Sequence, residues 1–523
     1  MLTPFKKSLP SPLLKLHSSI LKILLDLLWF RIYNYLREEP LRRSKRGEMS
    51  REKIFHLLEK YRQDHILQHS QRLDSEKRND FLKELKKLDL ALAFELHRKF
   101  SKDKTSSRSL KNIGAAPVII LPGTPQEKNR REEARVLGES LIRKNQVAVL
   151  IVAGGQGSRL GIAGPKGKFP VSPVKKKSLF QLFAESVKSL SLRYRAMIPL
   201  FIMTSEENGE ETRQFFEVNN YFGLDGEYIY FFEQGMLPTL TREGHLILRD
   251  DTHLLVNPDG HGGSLKALHE SGLLESLTRK GFSELFFCQV DNPLVKIADP
   301  VFIGHHRMEG SEFSTKVVRR RDLEEKVGIY GLVDGKPAVV EYSDFLPEEY
   351  RALDEKGSIL HWPGNIAVHV ISLSFIQRLN LRGFALPYHL AVKDVEVLLP
   401  DGKGKKMTGW KFETFVFDAI PFARKTCCLE VIREEEFAPV KNPKGSDSPE
   451  TARAALSNLH RSWLKEAGAE LAPKAQVEIS PLCAMDKKDL IKKLKGQKLV
   501  ISEDTYIDDS MGFRYEIASL LSQ

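Results

Sequence analysis

The 523-residue chain has only four cysteines, Cys288, Cys427, Cys428 and Cys483, with no C-x-x-C spacing. Two are adjacent, so neither a disulfide framework nor a zinc site is indicated, and a reducing, cytoplasmic setting is expected. No run of about 18 apolar residues occurs, which argues against a membrane span. Zinc-finger and RNP-type motifs are absent too, although the net charge is +11. That excess is unevenly placed: residues 1–48 hold ten Lys or Arg against four Asp or Glu. The remainder is only modestly basic, and no nucleic-acid partner is expected. With 41% hydrophobic and 28% charged residues the chain is neither disordered nor fibrous. Its length calls for a large core with satellite domains.

What the chain does have is one glycine-rich stretch, VAVLIVAGGQGSRLGIAGPKGKFPV, at 147–171. Its apolar opening reads as a buried strand, and the glycines that follow form a tight turn. Gly154, Gly155 and Gly157 carry no side chain to block a ligand and tolerate positive φ, so successive N–H groups can point at an anion. Arg159, Lys166 and Lys168 bring three cations to the same place. Gly161, Gly164 and Pro165 shape a loop that lets Lys166 fold back over the turn. Two commoner phosphate motifs fail here. A P-loop needs glycine where Ile162 stands and Ser or Thr where Phe169 stands, and the dinucleotide pattern G-x-G-x-x-G, begun by Gly155 and Gly157, meets Leu160 at its third position.

Residues 9–37 are strongly apolar, but Lys15, Ser19, Lys22 and Asp26 fall on one stripe of a helix. Such a helix must lie against its own protein, another subunit or a membrane surface. A signal peptide fits poorly, because charges interrupt the apolar region and no small-residue cleavage site follows. Residues 50–100 show charged helices with apolar spacing at Ile54, Leu57, Leu58, Phe81, Leu82, Leu85 and Leu88, and 101–126 is rich in Ser, Lys, Gly and Pro. Further on, helices at 127–144, 178–190 and 210–219 alternate with strands at 147–151, 199–204 and 285–290. This predicts an α/β, Rossmann-like fold with a mixed, mostly parallel sheet and ligands at the carboxyl ends of its strands. The expected division is a basic amphipathic extension (1–49), a small helical domain and linker (50–126), a central nucleotide- and substrate-binding domain (127–423) and a C-terminal domain (424–523) ending in a strand-rich segment, 477–507.

The pattern G-G-x-G-[ST]-R-L-G followed by P-K-G resembles that of nucleotidyltransferases that make nucleotide sugars. Seven more stretches follow: QGMLP (234–238), PDGHGG (258–263), QVDNPLVKIADPVFIG (289–304), VEYSDF (340–345), GNIAVH (364–369), KFETFVFD (411–418) and EFAPVKN (436–442). In this order they resemble the UDP-N-acetylhexosamine pyrophosphorylase family, within the wider UDP-sugar pyrophosphorylases, from about residue 50 to the C-terminus. The resemblance implies a nucleotidyltransferase domain and a reversible uridylyl transfer from UTP to a hexose 1-phosphate, N-acetylglucosamine 1-phosphate or glucose 1-phosphate, with Mg2+. It implies that Val152, Ala153, Gly154, Gly155, Gly157 and Arg159 hold the triphosphate, that Lys166 neutralises the α-phosphate, and that Asp291 binds the metal. Gln234 and Gly260 match positions that meet uracil. Glu341 and Tyr342 match a sugar-binding pair beside Asn365, and Lys411 and Lys441 match lysines that reach phosphates.

Two positions depart from the family's pattern: His261 stands where PDG-N-GG has Asn, and Val368 where GNIAN has its second Asn. Both are expected on the sugar side, which makes glucose 1-phosphate and galactose 1-phosphate candidates. Alternatively, His261 is a neutral replacement that still donates a hydrogen bond. Two other classes stay open: a non-catalytic nucleotide-sugar-binding scaffold at a membrane or partner surface, and an NAD-linked oxidoreductase resting on the near-miss glycine pattern.

Overall fold

The computed structural model describes residues 50–102, 113–381, 383, 384, 386–398, 404–494 and 499–509, so the apolar segment at 9–37 lies outside the described residues. Four helices come first, α1 (Arg51–Lys60), α2 (Asp64–Arg72), α3 (Ser75–Lys87) and α4 (Leu90–Lys102). Ser50 and Asp74 start α1 and α3 by accepting the N–H groups of Lys53 and Lys77, which satisfies donors that a helix start leaves unpaired. Their apolar faces, with Ile54, Ile66, Phe81 and Phe94, share one core with Leu237, Leu240, Leu254 and Phe412. The next helix, α5 (Pro125–Arg143), begins on a capping box between Thr124 and Glu127 with Pro125 in its first turn.

The central sheet follows. Its parallel part is built from β1 (Val147–Val152), β2 (Leu200–Thr204), β3 (Ile229–Glu233) and β4 (Glu284–Gln289), in the order β4-β1-β2-β3. Helices α6 (Leu179–Tyr194), α7 (Gly209–Val218), α8 (Gly263–Glu270) and α9 (Pro300–Met308) cross over between or follow these strands. Along β1, Val147, Val149 and Ile151 enter one core and Ala148 and Leu150 the other, so the strand is apolar throughout because both faces of the sheet are covered. Strands β5 (Phe313–Arg319), β6 (Ile329–Val333) and β7 (Pro363–Ser372) extend the sheet, with β7 antiparallel to β4, β5 and β6. The sheet is therefore mixed, as expected. A long hairpin, β8 (His389–Leu398) with β9 (Gly404–Glu413), stands apart from it, and β10 (Thr426–Glu430) returns parallel to β5.

The C-terminal segment packs around α10 (Pro449–Glu466). Its late part is less strand-rich than the sequence suggests. Val477–Ile479 pairs with Thr505–Ile507 and Glu470–Leu471 with Val500–Ile501, but a helix, Lys487–Leu494, lies between them. Charged residues dominate that helix, yet Leu490 and Leu494 sit one turn apart and are buried. Among the described residues no helix is long and apolar enough to cross a membrane.

Register decides where function can gather. Val152 at the end of β1 lies opposite Gln289 at the end of β4 and Met203 of β2, and Thr204 lies opposite Glu233. The segments that leave these carboxyl ends therefore begin side by side.

Candidate active site

Ala153 N–H still donates to Met203 O (2.8 Å), the last sheet bond of the strand. The N–H groups of the next three residues, Gly154, Gly155 and Gln156, donate to nothing among the described residues. The chain then reverses through Gly161 and Gly164, at φ +79° and +85°, a region that glycine reaches without steric cost. Gly157 N–H donates to Gly164 O (2.8 Å) and Lys166 N–H to Gly155 O (3.1 Å), so the Pro-Lys-Gly segment is laid across the glycine turn. Asn208, just before α7, steadies the turn by donating to Ala153 O (3.0 Å) and Gly155 O (3.3 Å).

Lys166 Nζ stands 3.9 Å from Asp291 Oδ2. Asp291 leaves β4 two residues past Gln289, as Gly154 leaves β1 two residues past Val152, so the parallel register brings carboxylate and glycine turn together. The three cations of the loop separate here. Lys166 faces Asp291, Arg159 is exposed on the short helical turn Ser158–Leu160, and Lys168 pairs with Glu211 of α7 (2.5 Å) over the Phe215 ring. Lys168 is thus neutralised by its own fold, which the spacing of the motif could not reveal.

Gln234, the first residue after β3, is buried against this loop. A Cβ added to Gly154 would lie 2.5 Å from the Gln234 amide nitrogen, so glycine there is what lets the amide approach. Gly260, at φ +87°, packs on the chain after β9, and a Cβ there would fall 2.3 Å from Thr414 O. Thr414 N–H donates to Asp259 O (2.7 Å) and Gly262 N–H to Thr414 O (2.9 Å), which clamps the two turns together. Lys411 of β9 donates to Asn257 Oδ1, and burial, then the charge of Lys393, hold its pKa below the ordinary lysine range.

On the other side of the clamp, His261 Nδ1 accepts the Val416 N–H (3.2 Å), which puts the ring proton on Nε2. Phe415 and Phe417 enclose the ring, and this burial, then His389, pushes its pKa down to about 4. Burial and then Asp344 push the Glu341 carboxyl up, while Lys441 and His389 oppose them. Its Oε1 lies beside Gly328, whose carbonyl accepts the Asn365 N–H (2.8 Å), so Glu341 and Asn365 are brought together. The Asn365 Oδ1 accepts from Thr315 Oγ1 (3.0 Å) and Ala367 N–H (3.1 Å) at the bulge of β7. Tyr342 is half-exposed beneath the Lys326 ammonium. Val368, by contrast, is turned into the apolar core with Ile366 and Val370, so this departure from the family's pattern is a packing change rather than a change in a pocket wall.

Several supporting residues were not singled out from the sequence, although Asn292, Lys296, Asp299 and Glu436 lie inside the quoted motifs. Asn292 is buried and ties the segment after β10 to β4's end: its Nδ2 donates to Glu436 O (2.7 Å), its Oδ1 accepts Ala438 N–H (3.1 Å), and Val440 N–H donates to Asp291 O (2.8 Å). That docking carries Lys441, exposed, to the Glu341 side. Behind it Lys316, fully buried on β5, binds Asp299 (2.7 Å) and Glu436 (2.6 Å), with Lys296 3.7 Å from Glu436. A lysine in the middle of the strand-like run FSTKVVR, next to Val317 and Val318, was the available signal, since an ammonium is buried only with partners.

An open α/β sheet with a glycine turn of free amides, and a lysine and an aspartate converging at the carboxyl ends of adjacent strands, fits a nucleotidyltransferase. The resemblance read from the motifs is borne out by comparison. Residues 94–497 match the family described as UTP--glucose-1-phosphate uridylyltransferase, and the chain belongs to that family. It is 39% identical to the UDP-N-acetylglucosamine pyrophosphorylase of Saccharomyces cerevisiae over 73% of this chain and 83% of that protein. It is 34% identical to the probable UDP-N-acetylglucosamine pyrophosphorylase of Dictyostelium discoideum, over 82% of this chain and 92% of that one. The crystal structure of the UDP-N-acetylglucosamine pyrophosphorylase from Trypanosoma brucei superposes with a TM-score of 0.72 at 27% identity, covering 88% of this chain and 99% of that chain.

Proposed function

We propose that the protein transfers the uridylyl group of UTP to N-acetylglucosamine 1-phosphate, giving UDP-N-acetylglucosamine and pyrophosphate. The observation that carries this reading is the approach of Lys166 to Asp291 beside the glycine turn. Main-chain amides of 154–156 and Arg159 bind the triphosphate. A phosphate oxygen of the sugar 1-phosphate attacks the α-phosphorus, the bond to the α–β bridging oxygen breaks, and pyrophosphate leaves with that electron pair. Lys166 neutralises charge on the α-phosphate as the new bond forms. Gln234 and Gly260 receive the uracil, and Glu341 accepts hydrogen bonds from sugar hydroxyls, with Tyr342, Asn365, His261 and Lys441 around them. Lys411 reaches a phosphate from the hairpin.

Asp291 supports a magnesium site. It offers a hard carboxylate that would hold the ion together with substrate phosphates and water. When bound, the ion supplies charge neutralisation at the triphosphate. All four thiols are buried and free, which suits a cytoplasmic enzyme. The names of the relatives favour the N-acetylated sugar over the glucose and galactose phosphates that His261 and Val368 brought into question. Release of pyrophosphate from UTP and a panel of N-acetylglucosamine, N-acetylgalactosamine, glucose and galactose 1-phosphates tests the reading. The N-acetylglucosamine compound should give the highest kcat/KM. A preference for glucose 1-phosphate overturns the sugar assignment, and binding of UTP with no turnover of any sugar supports a scaffold instead.

A further inference from the structure

His389 opens β8, and its Nε2 meets Asp418 Oδ2 at 2.8 Å. Its ring lies 4.6 Å from that of Phe415, which stacks in turn on His261 at 5.3 Å, so the imidazole is held on two sides. The turn that carries Asp418, Val416–Phe422, packs along the strand Lys336–Val340, and Glu341 is the next residue of that chain. His389 therefore stands among carboxylates: Asp418 from the turn that follows β9, and Glu341 and Asp344 from the facing segment. Other charged or titratable groups around it are Glu413, directly opposite His389 on β9, Lys441, facing Glu341 from the segment after β10, and His261, facing His389 from the 258–263 turn.

We propose that His389, anchored on Asp418, is a positioning residue for the sugar phosphate: a cation set among the Glu341 and Asp344 carboxylates that keeps Glu341 in the charged form accepting sugar hydroxyls. The assignment rests on the function proposed above. The charges favour it. Burial works against the imidazolium, but Asp418, then Asp344 and Glu341, raise its pKa above the ordinary histidine value. Burial, Asp344 and Asp418 raise that of Glu341, and Lys441 and His389 resist. Of the two cations Lys441 has the larger influence on Glu341 but is exposed to solvent, whereas His389 is half-buried and fixed in place by its ion pair with Asp418.

The test uses His389→Gln, His389→Lys and Asp418→Asn in the full-length enzyme, with KM for UTP and for N-acetylglucosamine 1-phosphate and the pH profile of kcat/KM for the latter. His389→Gln should raise the sugar-phosphate KM roughly five- to tenfold, the scale of weakened hydrogen bonds to a charged acceptor, and leave the UTP KM unchanged. Losing the cation raises the Glu341 pKa further, so the acid limb of the profile should move to higher pH by about half to one unit. His389→Lys keeps a cation and should return the limb toward wild type, and Asp418→Asn should shift it as His389→Gln does. In a Glu341→Gln background, adding His389→Gln should make no further difference to the limb. Equal rises in both KM values with an unmoved limb, or a lysine variant that behaves like the glutamine one, would overturn the proposal. Absence of turnover in the wild-type enzyme would instead defeat the functional reading itself, a result separable from either.

Discussion

Lys316→Met removes a fully buried ammonium from a cluster that ties the segment after β4 to the segment after β10. In the native protein Asp299 and Glu436 bind Lys316 at 2.7 Å and 2.6 Å. Burial pushes the Asp299 carboxyl up, but Lys316 and then Lys296 more than offset it and hold it below the ordinary aspartate range. Methionine fills a similar volume, so the loss is chiefly electrostatic. Breaking a buried pair by deleting one partner costs about 3–5 kcal/mol, and Lys296, 3.7 Å from Glu436, places this case toward the lower end. For a cooperative unit of about 300 residues that lowers Tm by roughly 5–8 °C. A second signature is the pH dependence. With a depressed Asp299 pKa, the native protein keeps this stabilisation above the unfolded value and loses it as pH falls through the folded one. Without Lys316 the same carboxyl titrates above its unfolded value, so the penalty is full at neutral pH and shrinks on acidification. Scanning fluorimetry of both proteins from pH 7.5 to about 5 should show the Tm gap closing. A loss below about 1 kcal/mol, or a gap indifferent to pH, would refute the reasoning.

Three other outcomes follow from the same geometry. Lys166→Ala should leave Tm unchanged and cut kcat by roughly 10²-fold or more, the scale of losing a charge stabiliser; a near-normal rate removes Lys166 from the chemistry. Asn292→Ala strands Glu436 O and Ala438 N–H and should destabilise by about 1–3 kcal/mol in urea unfolding, while raising the KM for the sugar phosphate more than that for UTP. Gly154→Ala drives a methyl group to within 2.5 Å of a flexible side-chain amide, so it should raise the UTP KM with little change in Tm; an unchanged UTP KM would show that Gln234 does not meet the base.

Local physics and tertiary structure divided the work unevenly. An apolar β-branched run ending in glycines gives a buried strand and an open turn, and residues 147–157 form both. Gly154, Gly155 and Gly157 do not take the positive φ they could have, and the left-handed positions fall later, at Gly161 and Gly164. Helix α5 was legible in its body, but its start, Pro125 behind the Thr124–Glu127 capping box, lies two residues inside the stretch that its composition marked as linker. The pairing of charges was not legible. Lys166 and Lys168 are equivalent by spacing, and the structure sets one facing Asp291 and ties the other to Glu211, which α7 delivers from 43 residues away. Asp291 reached the glycine turn through the parallel register of β1 and β4, and Lys316 found Asp299 and Glu436 on two separate elements. Val368 looked like a pocket residue in its motif and is a core residue in the fold. Strand, turn and cap are settled by contacts a few residues apart, whereas the partner of a buried charge is settled by which segments the sheet lays side by side, and that depends on the whole chain at once.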